Sequence, residues 1–366
     1  MNKKDTKIAK DFFDIVRTAE WENLTFEDYK QNETSVKNAK LRELEDSANV
    51  CVLRIQSLAK KLKEKFVGRD EAIDCSLVSL MTGVPCLLIG PPGVAKSMIL
   101  REIKKELGGD AKNFEYLLTK FTTPEELFGI AKLDEMKQGA IIRDTTGKLP
   151  ESDLVFIDEV FRGSSQILNS LLTVSNEKIY HNPTPIDLPM LSLIGATNTP
   201  NSDPDLEAFY DRFPIRFLMN SVFDSDENQQ SKSNLAGTLL KRSAELQARL
   251  GNENNSGNEQ KCSANDFRLV KTYLGRHASE KTATHSEYSK LFMDLRKFMK
   301  YSDRSMYQLY LFGLGYCYLT GKGGDNIDMQ HMGKIFEWTC DTEMAQQRVS
   351  QKRLESATHA AGDRRP

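Results

Sequence analysis

The sequence lacks the features that indicate a membrane-spanning or secreted protein. No apolar run approaches the roughly 18–20 residues that a membrane-spanning helix needs. The segment Met1–Lys7 is basic, but no apolar stretch follows it, so a signal peptide is not expected. The six cysteines show neither a Cys-x-x-Cys pair nor the spacing of metal ligands. Scattered, reduced thiols of this kind suit a cytoplasmic protein, which we expect this chain to be.

The sequence also lacks an excess of charge of either sign. Lysine and arginine number 50, aspartate and glutamate number 52, and the formal net charge is −2. Proteins that bind mainly nucleic acid or anionic membranes usually carry a basic excess, so neither partner is expected. Hydrophobic residues make up 39% and charged residues 28% of the 366 residues, which allows a large core. A chain of this length is expected to form two or three domains.

The pattern of apolar residues divides the chain into four parts. Residues 1–60 are charged and show helical periodicity, which predicts a helical N-terminal extension. In residues 61–222, short apolar strands alternate with helix-length segments, as in an α/β fold with a parallel sheet and helices on both faces. The pattern of residues 223–340 predicts a mainly helical region, with a helix over 235–250 and an exposed loop over 251–260. Residues 341–366 are expected to form a partly disordered tail. The predicted strands are Cys86–Ile89, Asn113–Leu118, Leu154–Ile157 and Leu191–Ala196.

A phosphate-binding loop is the most informative motif in the chain. A short apolar run ends at Ile89, and an apolar helix start follows at Met98; between them lies Gly90-Pro91-Pro92-Gly93-Val94-Ala95-Lys96-Ser97. Such a strand–loop–helix unit directs backbone N–H groups at a phosphate. It predicts that Lys96 reaches the β- and γ-phosphates and that the Ser97 hydroxyl binds Mg²⁺. The usual pattern has glycine at the position of Ala95, and we expect the alanine to keep a negative φ. The alternative is an ordinary Gly/Pro turn before a helix.

Polar side chains follow two of the later predicted strands. Asp158 and Glu159 come directly after Leu154–Ile157, and Asn198 follows the strand that ends at Ala196. Ligands of open parallel sheets bind at the carboxyl ends of the strands, so these side chains are expected near the phosphate loop. Asp158 is predicted to hold Mg²⁺ through water, Glu159 to act as general base, and Asn198 to contact the γ-phosphate or the attacking water. A chance acidic pair and a simple turn at Asn198 are the alternatives.

Together these motifs resemble those of the AAA+ ATPases, and more closely those of the MoxR family and its RavA-like branch. The resemblance covers about residues 61–336, and the Ala95-Lys96-Ser97 end of the loop is similar to that branch. It implies an AAA+ P-loop NTPase core followed by a helical lid domain, with ATP and Mg²⁺ as ligands. It also implies that the backbone around Val67 and Gly68 packs on adenine.

The resemblance implies two arginine contacts with phosphate. Arg212 is similar to the arginine finger that reaches the γ-phosphate bound by a neighbouring subunit, and Arg216 is the weaker candidate. Arg304, at the start of an apolar helix, is similar to the sensor 2 residue of the lid, and Arg268 is its rival. A guanidinium suits both roles because it stays charged and forks onto phosphate oxygens.

Two segments, 128–143 and 178–187, are similar to insertions of this group, and both are predicted to form hairpins. In the family such hairpins face the pore or the substrate face of a ring, and plain surface hairpins are the alternative.

The resemblance implies an Mg²⁺-dependent ATP hydrolase that forms a ring, with six subunits expected. The implied role is chaperone-like remodelling of a partner protein, often one with a von Willebrand factor A domain. Two other functions remain open at this point, a nucleic-acid-associated motor and an ATP-gated scaffold with little turnover. The near-neutral charge argues against the first, and the intact Asp158-Glu159 pair argues against the second.

Overall fold

The computed structural model describes part of the chain, and the fold is given for that part. Predictions for residues 1–32, for the loop 251–260, and for most of the helix 235–250 and of the tail 341–366 lie outside it. Within the described part, no helix is long and apolar enough to cross a membrane. The described residues are 33–107, 111–137, 141–200, 206–221, 236–239, 241, 261–280, 282–295, 303–323, 329–340, 342, 345–347 and 349–351.

A five-stranded parallel sheet forms the centre of the fold. Its strands are β1 (Cys86–Ile89), β2 (Asn113–Leu117), β3 (Leu154–Asp158), β6 (Ser192–Thr197) and β7 (Ile215–Leu218). They lie in the order β2-β3-β6-β1-β7, and every neighbouring pair runs parallel. The carboxyl ends of all five strands therefore share one edge of the sheet.

The predictions of an α/β fold and of four strands are confirmed, since each strand ends within one residue of its expected bounds. The fifth strand, β7, was not predicted. It contains Arg216, a residue type that is seldom buried, yet this side chain is only 5% exposed.

Helices cover both faces of the sheet because side chains alternate along each strand. On one face, Leu88 and Phe156 join a core with helices α1 (Glu33–Lys65), α2 (Asp70–Thr82) and α3 (Lys96–Glu106). On the other face, Leu87 and Val155 join a second core with helices α4 (Pro124–Phe128) and α6 (Ser165–Glu177). The apolar strands are thus buried on both sides, which explains their continuous hydrophobic runs.

The helices that follow the sheet in sequence pack into the first of these two cores. They are α8 (Ala264–Glu280), α9 (Thr282–Leu295), α10 (Asp303–Leu319), α11 (Met329–Gly333) and the 3₁₀ segment Lys334–Thr339.

Two contacts anchor this helical part to the sheet and its first helices. Trp338 is fully buried and packs edge-on against Phe217 of β7, with ring centroids 5.6 Å apart. The carboxylate of Asp266 accepts hydrogen bonds from Arg54 at 2.8 Å and from the Cys51 thiol at 3.0 Å. Helix α1 itself passes through the boundary that was predicted at residue 60, and the division into four parts stays a prediction.

The two predicted hairpins have different outcomes. Residues 178–187 form the expected hairpin, in which β4 (Ile179–His181) pairs antiparallel with β5 (Pro185–Asp187). The prediction for 128–143 is wrong in its centre, where the structure has helix α5 (Leu133–Lys137). Two acidic residues in the first turn of α5 favour a helix N-terminus there. An antiparallel bridge between Ala131 and Arg143 closes the base of this segment.

One asparagine joins the two insertions. The Asn182 side chain accepts a hydrogen bond from the Arg143 N–H at 2.7 Å and donates one to the Arg143 carbonyl at 2.9 Å. The rings of Phe128 and Tyr180 stack beside this contact, with centroids 5.1 Å apart. The hairpin and the helical insertion therefore form one connected surface unit.

Candidate nucleotide-binding site

The loop between β1 and α3 has the backbone shape of an anion-binding nest. Gly93 has φ +84° and Ala95 has φ +73°, so left-handed residues alternate through the loop and turn successive N–H groups inward. The expectation that Ala95 keeps a negative φ is wrong. A non-glycine residue in this region costs about 1–2 kcal/mol, and the loop holds it there directly before the first turn of α3.

Gly90 is the point of closest approach between the loop and the end of β7. A Cβ atom at this position would lie 2.2 Å from the Met219 carbonyl oxygen. The Met219 N–H donates to the Ile89 carbonyl at 2.7 Å, and the Gly90 N–H donates to the Thr197 carbonyl at 3.1 Å. The start of the loop is therefore held between two strands, and glycine is required there for lack of space.

The remaining loop residues are more open. Pro91, Pro92 and Gly93 are exposed, whereas Val94 is buried in the core beneath them. Ser97 is half-buried in the first turn of α3, and the neighbouring Met98 is 48% exposed.

Lys96 is buried at the N-terminus of α3 and is fully engaged by hydrogen bonds. Its ammonium group donates to the Gly90 carbonyl, to the carbonyls of Pro91 and Thr197 at 3.3 Å, and to Asn198 Oδ1 at 3.0 Å. Burial lowers the pKa of Lys96 from its ordinary value, and the negative charges of Asp158 and Glu159 oppose that shift. These acceptors orient the ammonium group toward the carboxyl edge of the sheet.

The two polar strand ends meet beside this lysine. Asp158 is the last residue of β3, and its Oδ1 accepts a hydrogen bond from the Glu159 N–H at 2.9 Å. Glu159 adopts a left-handed conformation with φ +51°, which turns the chain sharply after the strand. Asn198 Nδ2 donates to Glu159 Oε1, so the contacts run from Lys96 through Asn198 to Glu159.

An arginine that the sequence reasoning did not single out completes this series of contacts. Arg162 Nε lies 3.3 Å from Glu159 Oε2. The only signal in the sequence is the spacing of three residues, which becomes a contact because residues 160–162 form a 3₁₀ turn.

The segment predicted to pack on adenine lies between α1 and α2. Val67 is half-buried and Gly68 has φ +66°, which makes the tight turn between the two helices. The Arg69 guanidinium donates to the Asn220 carbonyl at 2.7 Å. This contact ties the turn to the residues that follow β7, at the same edge of the sheet as the phosphate loop.

The two candidate finger arginines are in different environments. Arg216 lies within β7, donates to the carbonyls of Phe213 and Tyr210 at 3.1 and 3.3 Å, and stacks 4.0 Å above the Tyr210 ring. It is occupied inside its own subunit. Arg212 follows helix α7 (Glu207–Tyr210), and its Nε is buried without a hydrogen-bond partner among the described residues.

The two candidate sensor arginines are also distinguished. Arg268 of α8 pairs with Asp153, which precedes β3 and so lies at the amino edge of the sheet, opposite Glu159. Arg268 therefore does not meet the phosphate loop. Arg304 lies in the first turn of α10, and its side chain is outside the described part of the structure.

The oxygen atoms of the site suit a hard divalent cation that is held mainly by the phosphates of a bound nucleotide. No group of three or more His, Cys, Asp or Glu side chains in the described part could hold a metal ion by itself. Ser97 and Asp158 carry oxygen atoms of the kind that Mg²⁺ prefers, and Mg²⁺ characteristically takes few protein ligands and completes its shell with phosphate and water.

Comparisons with known proteins show which chains this one is similar to. The chain is 40% identical over 171 residues to an uncharacterized protein of Methanocaldococcus jannaschii, and the match covers 46% of this chain and 44% of that one. It is 26% identical over 175 residues to the chaperone MoxR1 of Mycobacterium tuberculosis, which covers 46% of this chain and 45% of the chaperone. This chain thus spans less than half the length of either relative.

A solved structure and a family model extend the comparison. The crystal structure of a candidate ATPase of Cytophaga hutchinsonii matches with a TM-score of 0.59 and 17% identity, and the match covers 86% of this chain and 98% of that one. At this identity the likeness concerns the fold alone. The model for the MoxR domain in the MoxR-vWA-beta-propeller ternary systems matches residues 53–252. The match spans more than half of the chain, which therefore belongs to this MoxR domain family.

Proposed function

We propose that this protein is an Mg²⁺-dependent ATP hydrolase of the AAA+ type. The observation that carries the proposal is the series of contacts from Lys96 through Asn198 to Glu159. It joins the phosphate loop, the end of β6 and the end of β3 at one edge of the sheet. These are the three elements that position a phosphoryl group and its attacking water in this class of enzyme.

Each side chain of the site has a role that its geometry supports. The inward N–H groups of residues 93–95 and the N-terminus of α3 would cradle the β-phosphate, and Lys96 would exchange its carbonyl acceptors for phosphate oxygens. The Ser97 hydroxyl would bind Mg²⁺ and Asp158 would hold it through water, and the ion supplies charge neutralisation when it is bound. Asn198 would orient the attacking water, and Glu159 would accept its proton.

Arg212 supports an action between subunits. Its Nε has no hydrogen-bond partner among the described residues, unlike the guanidinium of Arg216, and a phosphate bound by a neighbouring copy would accept hydrogen bonds from the Arg212 guanidinium. We infer a ring in which each site borrows Arg212 from its neighbour, with six subunits expected, and in which Arg304 closes the lid over the nucleotide. In this proposal residues 61–222 form the nucleotide-binding core and residues 223–340 the lid.

The partner is inferred from the family. The matched domain is described from systems that combine MoxR, von Willebrand factor A and β-propeller components, and one relative is named a chaperone. We infer chaperone-like remodelling of a protein that contains a von Willebrand factor A domain. The connected insertions around Asn182 offer one surface for such a client. The six cysteines are free and buried, which supports a reducing, cytoplasmic setting, and Ala95 in the loop supports placement near the RavA-like branch.

The first experiment is the ATPase rate as a function of protein concentration, for wild type mixed with increasing amounts of Arg212→Ala. A rate per subunit that rises with concentration, and falls faster than dilution when the variant is added, is expected of a ring with shared sites. A flat rate, or simple dilution by the variant, would contradict the shared site.

Two further variants test the chemistry. Lys96→Ala is expected to abolish ATP binding in a fluorescent-nucleotide titration. Glu159→Gln is expected to bind ATP but to hydrolyse it about 10²–10⁴-fold more slowly. Wild-type turnover in Glu159→Gln would exclude this residue as the base, and normal ATP binding without turnover in the wild-type protein would favour the scaffold alternative.

A further inference from the structure

The side chain of Glu159 is held at both of its oxygens. Asn198 Nδ2 donates to Oε1, and Arg162 Nε lies 3.3 Å from Oε2. The two partners differ in what else they contact, because Asn198 also accepts from Lys96 and so is coupled to the phosphate loop. Arg162 is 64% exposed, and among the described residues its side-chain contact is with Glu159.

The contact between Arg162 and Glu159 results from the backbone conformation of residues 159–162. Glu159 takes a left-handed conformation, and the Arg162 N–H donates to the Glu159 carbonyl at 2.8 Å. The two side chains therefore leave the same tight 3₁₀ turn and meet across it. The pairing needs no other element of the fold to bring it about.

In the proposed reaction the contact with Asn198 is the one exposed to change. A base must present one carboxylate oxygen to the water it deprotonates, and Asn198 is the side chain placed to turn toward the γ-phosphate. Oε1 would then be released to face the water. The contact between Oε2 and Arg162 is the one that remains to fix the orientation of the carboxylate.

We propose that Arg162 is a positioning residue for Glu159, which holds one oxygen of the base so that the other faces the attacking water. This inference rests on the proposed ATP hydrolase function. Arg162 would not touch the nucleotide or the reacting atoms. Its effect is on geometry, because a glutamate side chain has several rotatable bonds and only a fraction of its conformers place an oxygen at the water.

The test is the steady-state ATPase of the full-length chain with Arg162→Ala, at a concentration where the wild-type rate per subunit is constant. Fixing one flexible side chain is expected to be worth about three- to tenfold in kcat. KM for ATP should be unchanged, because the phosphate loop is untouched. Arg162→Lys should recover part of the loss, since an ammonium group can still pair with Oε2.

A double-variant cycle shows whether the effect passes through Glu159. In single-turnover measurements, Arg162→Ala should cause no further loss when it is combined with Glu159→Gln. The matched control is Arg101→Ala, which removes another exposed arginine near Asp158 that pairs instead with Glu115. Its kcat should stay within about twofold of wild type, as expected for a surface pair of low energy.

Several results would overturn the inference. An unchanged or raised kcat in Arg162→Ala would show that Glu159 is oriented without it. An equal loss in the Glu159→Gln background would indicate a structural role of the turn. If Glu159→Gln is impaired but Arg162→Ala is not, only this inference fails; wild-type turnover in Glu159→Gln would instead remove the proposed function on which it rests.

Discussion

Substitution of Gly90 by alanine is expected to lower both the stability and the activity of the protein, because the added Cβ atom would clash with backbone. A Cβ atom there would lie 2.2 Å from the Met219 carbonyl oxygen, whereas real Cβ atoms essentially never come closer than 3.0 Å to a neighbour. In Gly90→Ala the loop and the end of β7 must therefore separate by about 0.8 Å. Neither side can yield by rotating a side chain, because the contact is made to backbone.

Two consequences follow from this separation. Overpacking of this kind destabilises proteins by about 1–3 kcal/mol. At roughly 2–4 °C per kcal/mol, the midpoint of thermal unfolding should fall by about 2–12 °C. The start of the phosphate loop also moves, and a displacement near 1 Å at a reacting centre can reduce activity about 10²-fold. We expect kcat/KM for ATP to fall by that order.

Variants at two other glycines distinguish the effect of the clash from the effects of dihedral strain and of adding a methyl group. Gly93→Ala meets no atom within 4 Å but places alanine at φ +84°, so it should show dihedral strain of about 1–2 kcal/mol without the clash. Gly275→Ala in helix α8 also meets no atom within 4 Å, and it should be neutral or stabilising by up to about 1 kcal/mol. A Gly90→Ala protein with wild-type melting temperature and wild-type kcat/KM would refute the packing argument.

Three further predictions concern the contacts that hold the fold together. Burial alone would raise the pKa of Asp266, but hydrogen bonds from Cys51 and Ser263 outweigh it and the pKa lies below 3.8. Because the folded pKa is depressed, the stabilisation is present above pH 3.8 and is lost as the pH falls through the folded pKa. In urea titrations Asp266→Asn should be less stable than wild type at pH 7. The difference in the free energy of unfolding between the two proteins should narrow below about pH 4. A gap independent of pH would be inconsistent with this account. Trp338→Ala should lower the free energy of unfolding by about 3–5 kcal/mol, since the ring is fully buried, and a loss under 1 kcal/mol would show that the helices are not anchored there. Asn182→Ala removes two hydrogen bonds to the Arg143 backbone and should accelerate hydrogen exchange of that amide by about 10-fold or more; unchanged exchange would mean that the insertions are held together by other contacts.

The strands of the sheet could be read from the sequence because burial on both faces leaves continuous apolar runs. Strand β7 could not be predicted in this way, because it contains a buried arginine. Its Arg216 is buried only because the carbonyls of Phe213 and Tyr210 and the Tyr210 ring surround the guanidinium. Those partners are assembled by the turn before the strand. No periodicity or composition reports an arrangement of that kind.

Part of the candidate site could also be predicted from the sequence. Parallel strands bring their carboxyl ends together, so the approach of Lys96, Asn198 and Glu159 follows from topology. The conformation of Ala95 does not follow from residue preference, because the loop geometry overrides the usual sign of φ. The contact of Arg162 depends on a 3₁₀ turn only three residues long, which no sequence pattern indicated.

The hydrogen bonds of Lys96 have a consequence for which anions the loop can accept. Three ammonium protons are shared among four oxygen acceptors, so an incoming anion gains only the difference between its own bonds and those it displaces. Weakly basic ions such as chloride gain little from such a substitution, whereas the highly charged terminal phosphate of a nucleotide gains much. We therefore expect Lys96 to discriminate against small, weakly binding anions, because three backbone carbonyls and the Asn198 side chain already accept its protons.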